Sequence, residues 1–140
     1  MSQSLSAIYI HTIFSTKERR PFLADAAIRK ELHAYLASIL QNHGCAPVLV
    51  GGPSDHVHGL FPLSRTDALA DTIASVKRSS SLWIKTKGPS FAGFQWQNGY
   101  GAFSVSYSHM ERVRQYILDQ EQHHTKMSFS GRIPWVLTPA

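Results

Sequence analysis

Two histidines separated by one residue, His56 and His58, are the side chains in this sequence best placed to do chemistry. They lie between apolar residues at 47–50 and 60–63, a pattern that predicts a β-strand. Because side chains alternate along a strand, both imidazoles would project from one face, with Val57 in the opposite layer. Two parallel imidazoles on a rigid strand can chelate one divalent metal. A hydrogen-bonded histidine pair on a half-buried sheet is the alternative, because so short a motif also occurs by chance.

A second polar group lies on the last predicted helix. Helical spacing puts Tyr116 on one stripe with Arg112, Gln120 and His123, about one hundred degrees around the helix from Ile117. That stripe is polar, so Tyr116 is not an obvious core residue. Gln120 follows it by four residues and therefore lies beside it on the helix surface.

These two groups suggest chemistry on a phosphodiester. A metal held by His56 and His58 needs further ligands, and Gln120 offers an amide oxygen. Such a metal would polarise a phosphate oxygen as a Lewis acid. The Tyr116 hydroxyl, with an ordinary pKa near ~10, is a poor nucleophile at neutral pH unless a metal or Arg112 stabilises the phenolate. Its attack on DNA would form a phosphotyrosine and release a hydroxyl-ended strand, which preserves the ester for rejoining.

The hydrophobic patterns predict the elements that would position these residues. Strands are predicted at residues 5–14, 46–51, 55–62 and 94–106, with a hairpin turn at 51–54 and a break at Asn98-Gly99. Helices are predicted from Asp25 to Gly44, from a cap at Thr66 to Lys87, and from a Ser108–Glu111 capping box onward. The order β-α-β-β-α-β-α indicates an α+β sandwich, with one antiparallel sheet of about four strands and helices on one face.

Length and composition restrict the class of protein. With 140 residues, 43% of them hydrophobic, the chain is long enough for a single domain over residues 1–140. No apolar run approaches the ~18 residues of a membrane span, and the N-terminus lacks the pattern of a secretion signal. The single cysteine, Cys45, excludes an internal disulfide and predicts a cytoplasmic location.

The formal net charge of +5 favours a polyanionic partner such as nucleic acid. Basic and hydroxyl side chains are the donors that phosphate oxygens accept. The candidate DNA-binding residues are Arg19 and Arg20 after the first strand, Lys77, Arg78, Ser79 and Lys85 on the second helix, and Arg112 beside Tyr116. Cations near a helix C-terminus also suit the helix dipole, and charged loops are commonly solvated, so structural roles remain open.

Taken together, the motifs resemble the single-tyrosine transposases of the IS200/IS605 insertion-sequence group, which belong to the histidine–hydrophobic–histidine endonucleases. The resemblance covers roughly residues 5–126. It is carried by Phe-Ser-Thr-Lys at 14–17, Gly-Gly-x-x-Asp-His-Val-His at 51–58, Trp-Gln-x-Gly-Tyr-Gly-Ala-Phe-Ser-Val-Ser at 96–106, and Tyr-Ile-x-x-Gln at 116–120.

This resemblance implies a ferredoxin-like, RRM-like fold and a homodimer whose active sites combine the histidines of one subunit with the tyrosine of the other. It implies that His56, His58 and Gln120 hold Mg²⁺ or Mn²⁺ and that Tyr116 is the nucleophile. It also implies cleavage of single-stranded DNA beside a hairpin at the ends of an insertion sequence. The residue chemistry leaves the metal open, since imidazoles suit softer ions and oxygen ligands suit harder ones.

The C-terminal segment departs from the family pattern. Relatives commonly continue with a polar helical tail, which the atypical residues 127–140 do not resemble, and this suggests a truncated or frame-shifted copy. A catalytically inactive or domesticated relative, binding structured nucleic acid through Lys77, Arg78 and the strand aromatics, is therefore the alternative hypothesis. A metal-free phosphodiesterase fits less well, because it would need a second histidine motif on another strand.

Overall fold

The computed structural model describes residues 5–120, and these form an α+β domain. The strands are β1 (Tyr9–Ser15), β2 (Leu49–Gly51), β3 (His56–Pro62) and β4 (Gly101–Val105), and the helices are α1 (Ala26–Asn42), α2 (Leu69–Lys85) and α3 (Met110–Leu118). Short 3₁₀ segments lie at Lys17–Arg19, Pro89–Phe91 and Tyr107–His109. Within this part of the chain, no helix is both long and apolar enough to cross a membrane.

The four strands form one sheet in the order β2-β3-β1-β4, and every pairing is antiparallel. The central pair, β1 and β3, runs in register from Tyr9 opposite Pro62 to Ser15 opposite His56. The predicted four-stranded antiparallel α+β fold is confirmed. The predicted hairpin is also present, formed by β2 and β3.

Helices cover both faces of this sheet. Ile10, Phe14, Val57 and Phe61 belong to the main core cluster with the apolar residues of α1 and α2. On the other face, Leu60 packs against Val113 and Ile117 of α3. The expectation that all helices share one face therefore does not hold for α3. The apolar stripe of α3 needs an apolar surface to bury, and the main core is already filled by α1 and α2.

The first helix begins and ends as predicted. The Asp25 carboxylate accepts hydrogen bonds from the backbone N–H groups of Ala27 and Ile28. This satisfies amides that have no partner within the helix. After the helix, Gly44 adopts a positive φ of 80°, the conformation that glycine favours at this position.

The starts of the other two helices differ from the predictions. Thr66 does not cap α2, which begins after Ala68 without a side-chain cap, because Thr66 lies in a preceding turn held by the Ser64 hydroxyl. The Ser108–Glu111 capping box does not form. Instead, the Ser108 hydroxyl contacts Ser106 and His109 at the 3₁₀ segment, and α3 starts at Met110, one residue later than a cap at Ser108 would place it.

Two predicted strands are shorter than expected. β2 spans only Leu49–Gly51, and β4 only Gly101–Val105. Before β4, Trp96 makes an isolated bridge with Thr16, and its indole N–H donates to the Ser80 hydroxyl 2.9 Å away. Between Trp96 and β4, the chain turns at Gly99, where φ is +85°. The Asn98-Gly99 dipeptide thus ends the extended segment rather than interrupting it.

Candidate functional site

The alternation of β3 places His56 and His58 on the face of the sheet that α3 covers, with Val57 in the main core. Both imidazoles are buried, with exposed fractions of 1% and 0%. Their ring centroids lie 5.0 Å apart, with the planes at 69°. The prediction that both imidazoles project from one face of the strand is confirmed.

The His56 ring is oriented by the preceding residue. Its Nδ1 lies 2.8 Å from a carboxylate oxygen of Asp55, and the other oxygen of that carboxylate lies 3.5 Å from the Arg19 guanidinium. Because a carboxylate only accepts, Nδ1 carries the proton and donates it. In the neutral ring, the lone pair is therefore on Nε2, the tautomer that carboxylate–histidine pairs present to metals.

The His58 ring has polar partners at both nitrogens. Its Nε2 lies 3.1 Å from Oε1 of Gln120, and its Nδ1 lies 2.9 Å from Nε2 of His11. The Gln120 amide orientation follows from its other end, where Nε2 donates to the Tyr116 carbonyl. Burial holds the pKa of His58 well below its ordinary value, assisted by the neighbouring His56 and His11 rings and opposed by the hydrogen bond to Gln120.

His11 is the site residue that sequence reasoning missed. Alternation along β1 puts it on one face of the strand with Tyr9 and Ile13, a pattern that by itself indicates no function. In the sheet, His11 pairs with Leu60 and is the diagonal neighbour of His58. It is fully buried, and burial lowers its pKa to about 4, so the ring is neutral at neutral pH. Only the β1–β3 pairing, which the sequence does not specify, brings the two histidines together.

Tyr116 reaches the same cluster from α3. Its half-buried ring packs edge-on against His58, with ring centroids 5.7 Å apart and an angle of 82° between the planes. Burial raises the pKa of Tyr116, and a hydrogen bond with Gln120 works in the opposite direction. The structure thus brings together all four predicted catalytic and metal-ligating residues, although His123 lies outside the described residues.

The donor types fit a metal through nitrogen and amide-oxygen ligands. Across residues 5–120, no group of three or more His, Cys, Asp or Glu side chains is arranged to hold a metal ion. A metal would therefore depend on His56, His58 and the amide oxygen of Gln120, which already faces a His58 nitrogen. The Asp55 hydrogen bond, which leaves the lone pair on Nε2 of His56, supports that assignment.

The predicted DNA-binding residues do not gather around Tyr116. Arg112 is exposed and lies one helical turn before Tyr116 on α3. Arg78, Ser79 and Lys85 lie on α2, across the sheet from the histidines. Arg78 and Lys85 are exposed, as is Arg20, whereas Ser79 is half-buried.

Two of the predicted cations make contacts within the chain. Arg19 lies against Asp55, as described above. Lys77 donates through Nζ to the carbonyl oxygens of Gln97 and Gly99, at 2.8 and 2.5 Å, and burial lowers its pKa. Lys77 therefore holds the loop that leads into β4.

A groove of about 610 Å³ lies between α2 and this loop. Lys17 and Arg78 provide cationic groups along it, Gln97 and Asn98 provide amides, and Tyr100 is 40% exposed. Trp96 also borders the groove but is buried, packing edge-on against Phe14 and Phe94. Of the strand aromatics in the alternative hypothesis, Trp96 is thus a core residue, while Tyr100 remains accessible.

Comparison with known protein families places most of the described residues in one family. A family model described as "Transposase IS200 like" matches residues 4–120. The chain belongs to the IS200-like transposase family. The matched region contains the whole cluster, from His11 to Gln120. The atypical segment at 127–140 lies outside both the match and the described residues.

Solved structures share the fold of this transposase. A crystal structure of a candidate transposase from Deinococcus radiodurans R1 is 24% identical, with a TM-score of 0.64 over 86% of this chain and 98% of the other. A REP-associated tyrosine transposase bound to a REP hairpin is 11% identical, with a TM-score of 0.57 over 94% of this chain and 78% of the other. No curated protein matches the sequence.

Proposed function

We propose that this transposase cleaves and rejoins single-stranded DNA at the ends of an insertion sequence through a phosphotyrosine intermediate. One observation carries the proposal: the Tyr116 ring packs against His58, and Nε2 of His58 faces the amide oxygen of Gln120. These residues come from a central strand and the last helix, far apart in the chain. In a member of the IS200-like family, their convergence supports a tyrosine nucleophile beside a metal-binding histidine pair.

We infer that Tyr116 provides the nucleophilic oxygen. Its oxygen forms a bond to phosphorus, the bond from phosphorus to the leaving strand breaks, and that strand departs as a free hydroxyl after taking up a proton. The phenol loses its proton in the same exchange, so the step is balanced and reversible. Burial opposes this ionisation because it raises the pKa of Tyr116, whereas the hydrogen bond with Gln120 favours it.

His56, His58 and Gln120 would hold the divalent ion, Mg²⁺ or Mn²⁺. When bound, such an ion supplies Lewis-acid polarisation of the scissile phosphate. The mixed donor set is consistent with Mn²⁺, because imidazole nitrogen and amide oxygen both ligate it, while substrate phosphate oxygens would favour a hard ion such as Mg²⁺. Arg112, one turn from Tyr116, would add positive charge near the phosphate.

The DNA partner would be single-stranded DNA carrying a hairpin, and the REP-associated tyrosine transposase of similar fold, which is bound to a REP hairpin, supports the hairpin. Exposed Arg20, Arg78, Lys85 and Arg112 are the candidate phosphate contacts. The groove beside α2 would take an unpaired segment of the strand, with Tyr100 available for base stacking. Assembly as a homodimer, which the sequence resemblance implies, remains part of the proposal.

An adduct assay tests this function. Single-stranded hairpin DNA labelled on either side of the cleavage position is incubated with the protein and Mg²⁺ or Mn²⁺, then resolved under denaturing conditions. We expect a covalent protein–DNA band, with the nucleotide mapped to Tyr116 by peptide mass spectrometry. Tight hairpin binding without any covalent band would instead support the inactive, nucleic-acid-binding relative. That alternative is favoured by the position of the basic groove, which lies across the sheet from Tyr116.

A further inference from the structure

His11 is a buried polar residue for which the proposed reaction has no role so far. His11 is neither a predicted metal ligand nor the predicted nucleophile, yet its Nε2 makes a 2.9 Å hydrogen bond to Nδ1 of His58. Both residues are fully buried. A buried imidazole on a central strand costs solvation free energy, and an apolar residue would fill the same space without that cost.

The two rings are joined edge to edge. Their planes are inclined by 22°, and the centroids are 5.2 Å apart. A nitrogen-to-nitrogen distance of 2.9 Å plus the two ring radii accounts for nearly all of that separation. The rings are therefore almost coplanar and linked in line, which is the geometry of a directional N–H···N hydrogen bond rather than of face-to-face packing.

The proton positions around His58 follow from its partners. Gln120 presents Oε1, which only accepts, so Nε2 of His58 carries the proton in this structure. Nδ1 of His58 is then the acceptor, and Nε2 of His11 donates to it. As a metal ligand, Nε2 of His58 would need its lone pair, and the ring proton would move to Nδ1. The hydrogen bond to His11 would then reverse, with His11 accepting at Nε2 and carrying its own proton on Nδ1.

We propose that His11 is a positioning residue, which selects the tautomer of His58 by reversing this hydrogen bond when a metal binds. An imidazole suits the task, because each of its nitrogens can donate or accept without a change in net charge. His56 has Asp55 as its orienting partner, and His11 would do the corresponding work for His58. The inference rests on the proposed metal-binding function of His56, His58 and Gln120.

Metal affinity separates this role from packing. We compare the wild type with His11→Phe, which keeps a flat ring but no hydrogen bond, and His11→Gln, whose amide can place either a donor or an acceptor near the position of Nε2. Mn²⁺ binding is measured by electron paramagnetic resonance of the free ion. We expect His11→Phe to weaken binding about 10–100-fold, the usual effect of losing a group that orients a metal ligand. His11→Gln should recover most of that loss, whereas a packing role would not favour glutamine over phenylalanine.

Two controls keep the outcomes distinct. His109→Phe removes an exposed histidine outside the cluster and should bind Mn²⁺ like the wild type. His56→Ala reports on the metal site itself. If His56→Ala loses affinity while His11→Phe does not, the role of His11 is refuted and the proposed function stands. If the wild type and His56→Ala bind Mn²⁺ equally weakly, the metal site fails, and the tautomer switch fails with it.

Nitrogen-15 NMR of the imidazoles in the wild type tests the tautomer directly, even if His11→Phe does not fold. We expect the His58 proton on Nε2 without metal. On titration with Zn²⁺, a diamagnetic ion that imidazole binds well, it should move to Nδ1, with the His11 proton moving to its own Nδ1. An unchanged His58 tautomer in the Zn²⁺-bound protein would overturn the proposal.

Discussion

At the scale of single residues, the exposure of Tyr116 distinguishes it from its neighbours. His56, His58 and Gln120 are buried, whereas Tyr116 is half-buried, with its ring edge-on to His58. A fully buried phenol could not meet a DNA phosphate, and a fully exposed one would not be oriented. Half-burial leaves part of the Tyr116 phenol accessible while its ring stays oriented against His58.

Replacing Tyr116 with phenylalanine tests its assignment as the nucleophile. Because Tyr116→Phe keeps the ring contact with His58 and removes the attacking oxygen, we expect the covalent DNA adduct to disappear while hairpin affinity stays close to that of the wild type. Loss of the phenol hydroxyl should change stability by no more than about 1 kcal/mol, because the backbone hydrogen bond from Gln120 is kept. Denaturing gels and thermal unfolding measure these effects. Tyr107→Phe, a change at an exposed tyrosine, is the matched control, and an adduct that persists in Tyr116→Phe would disprove the assignment.

Removing the metal or a histidine tests the second half of the site. Chelation with EDTA should stop adduct formation, and added Mn²⁺ should restore it. His56→Ala should lower metal affinity by about 100-fold or more, since losing a ligand costs at least as much as losing its orienting partner. Calorimetric titration measures the affinity. Cleavage that continues unchanged in excess EDTA would remove the metal from the mechanism.

The sequence predicted which residues form the cluster better than it predicted the hydrogen bonds and ion pairs between them. The His56–His58 alternation and the four-residue spacing of Tyr116 and Gln120 follow from the periods of strand and helix, which are local properties. The link from His11 to His58 depends on which strands pair and in what register, a tertiary property that local patterns do not carry. The contact of Arg19 with Asp55 was likewise not predicted, because the two residues are distant in sequence.

At the scale of elements, the position of α3 depends on a glycine in β2. A Cβ atom at Gly51 would lie 2.8 Å from the Ile117 side chain and 3.1 Å from the Ile117 carbonyl, both on α3. Glycine thus lets the helix approach the sheet closely enough for Tyr116 and Gln120 to reach His58. Gly52 also resists substitution, because its φ is +147° and a Cβ there would collide with the His56 carbonyl.

We therefore expect Gly51→Val to move α3 away from the sheet. Overpacking of this kind costs about 1–3 kcal/mol, and the displaced Tyr116 should form much less adduct even where the protein remains folded. Gly93→Ala is the matched control, because a Cβ at Gly93 meets no atom within 4 Å. Chemical denaturation and the adduct assay are measured together. Normal stability and adduct yield in Gly51→Val would show that the close approach of α3 is not needed.

The loop before β4 gives Lys77 and Arg78 different roles despite their adjacency. Lys77 donates to two loop carbonyls, so Lys77→Met should lower stability by about 1–2 kcal/mol. Arg78 is exposed, so Arg78→Gln should leave stability unchanged, weaken hairpin binding and reduce the salt dependence of binding by about one unit of slope. Thermal unfolding and fluorescence anisotropy at several salt concentrations measure the two effects. If Lys77→Met and Arg78→Gln changed stability and hairpin affinity by the same amounts, the two residues would not have different roles.

Element boundaries show where local sequence signals stop being sufficient. Asp25 caps α1 as predicted, because its carboxylate accepts from two backbone amides in the first turn of the helix. Ser108 and Thr66 have the right residue types, yet nearby side chains and turns engage their hydroxyls, and the helices begin elsewhere. Trp96 similarly lies outside β4, although the sequence predicted it within that strand. Its indole packs in the core, and the indole N–H donates to the Ser80 hydroxyl.

At the scale of the whole molecule, the two faces of the sheet serve different purposes. α1 and α2 close the main core on one face, while α3 closes the other and brings the tyrosine to the histidines. A single chain therefore contains all four proposed site residues in contact, with Tyr116 against its own His58. Since the resemblance implies active sites shared between two subunits, the arrangement in solution has a direct functional consequence.

Mixed dimers separate the two arrangements. We expect a heterodimer of one Tyr116→Phe subunit and one His56→Ala subunit, isolated through two different affinity tags, to form no DNA adduct. When each site uses the tyrosine and histidines of one chain, both sites in this heterodimer are defective. When sites are shared, one site would combine an intact tyrosine with intact histidines, and roughly half of the wild-type adduct yield per dimer would return. A heterodimer of wild type and His56→Ala, with one intact site under either arrangement, provides the reference yield. Adduct at that reference level in the doubly mutant heterodimer would mean that α3 crosses to the partner subunit in the active assembly.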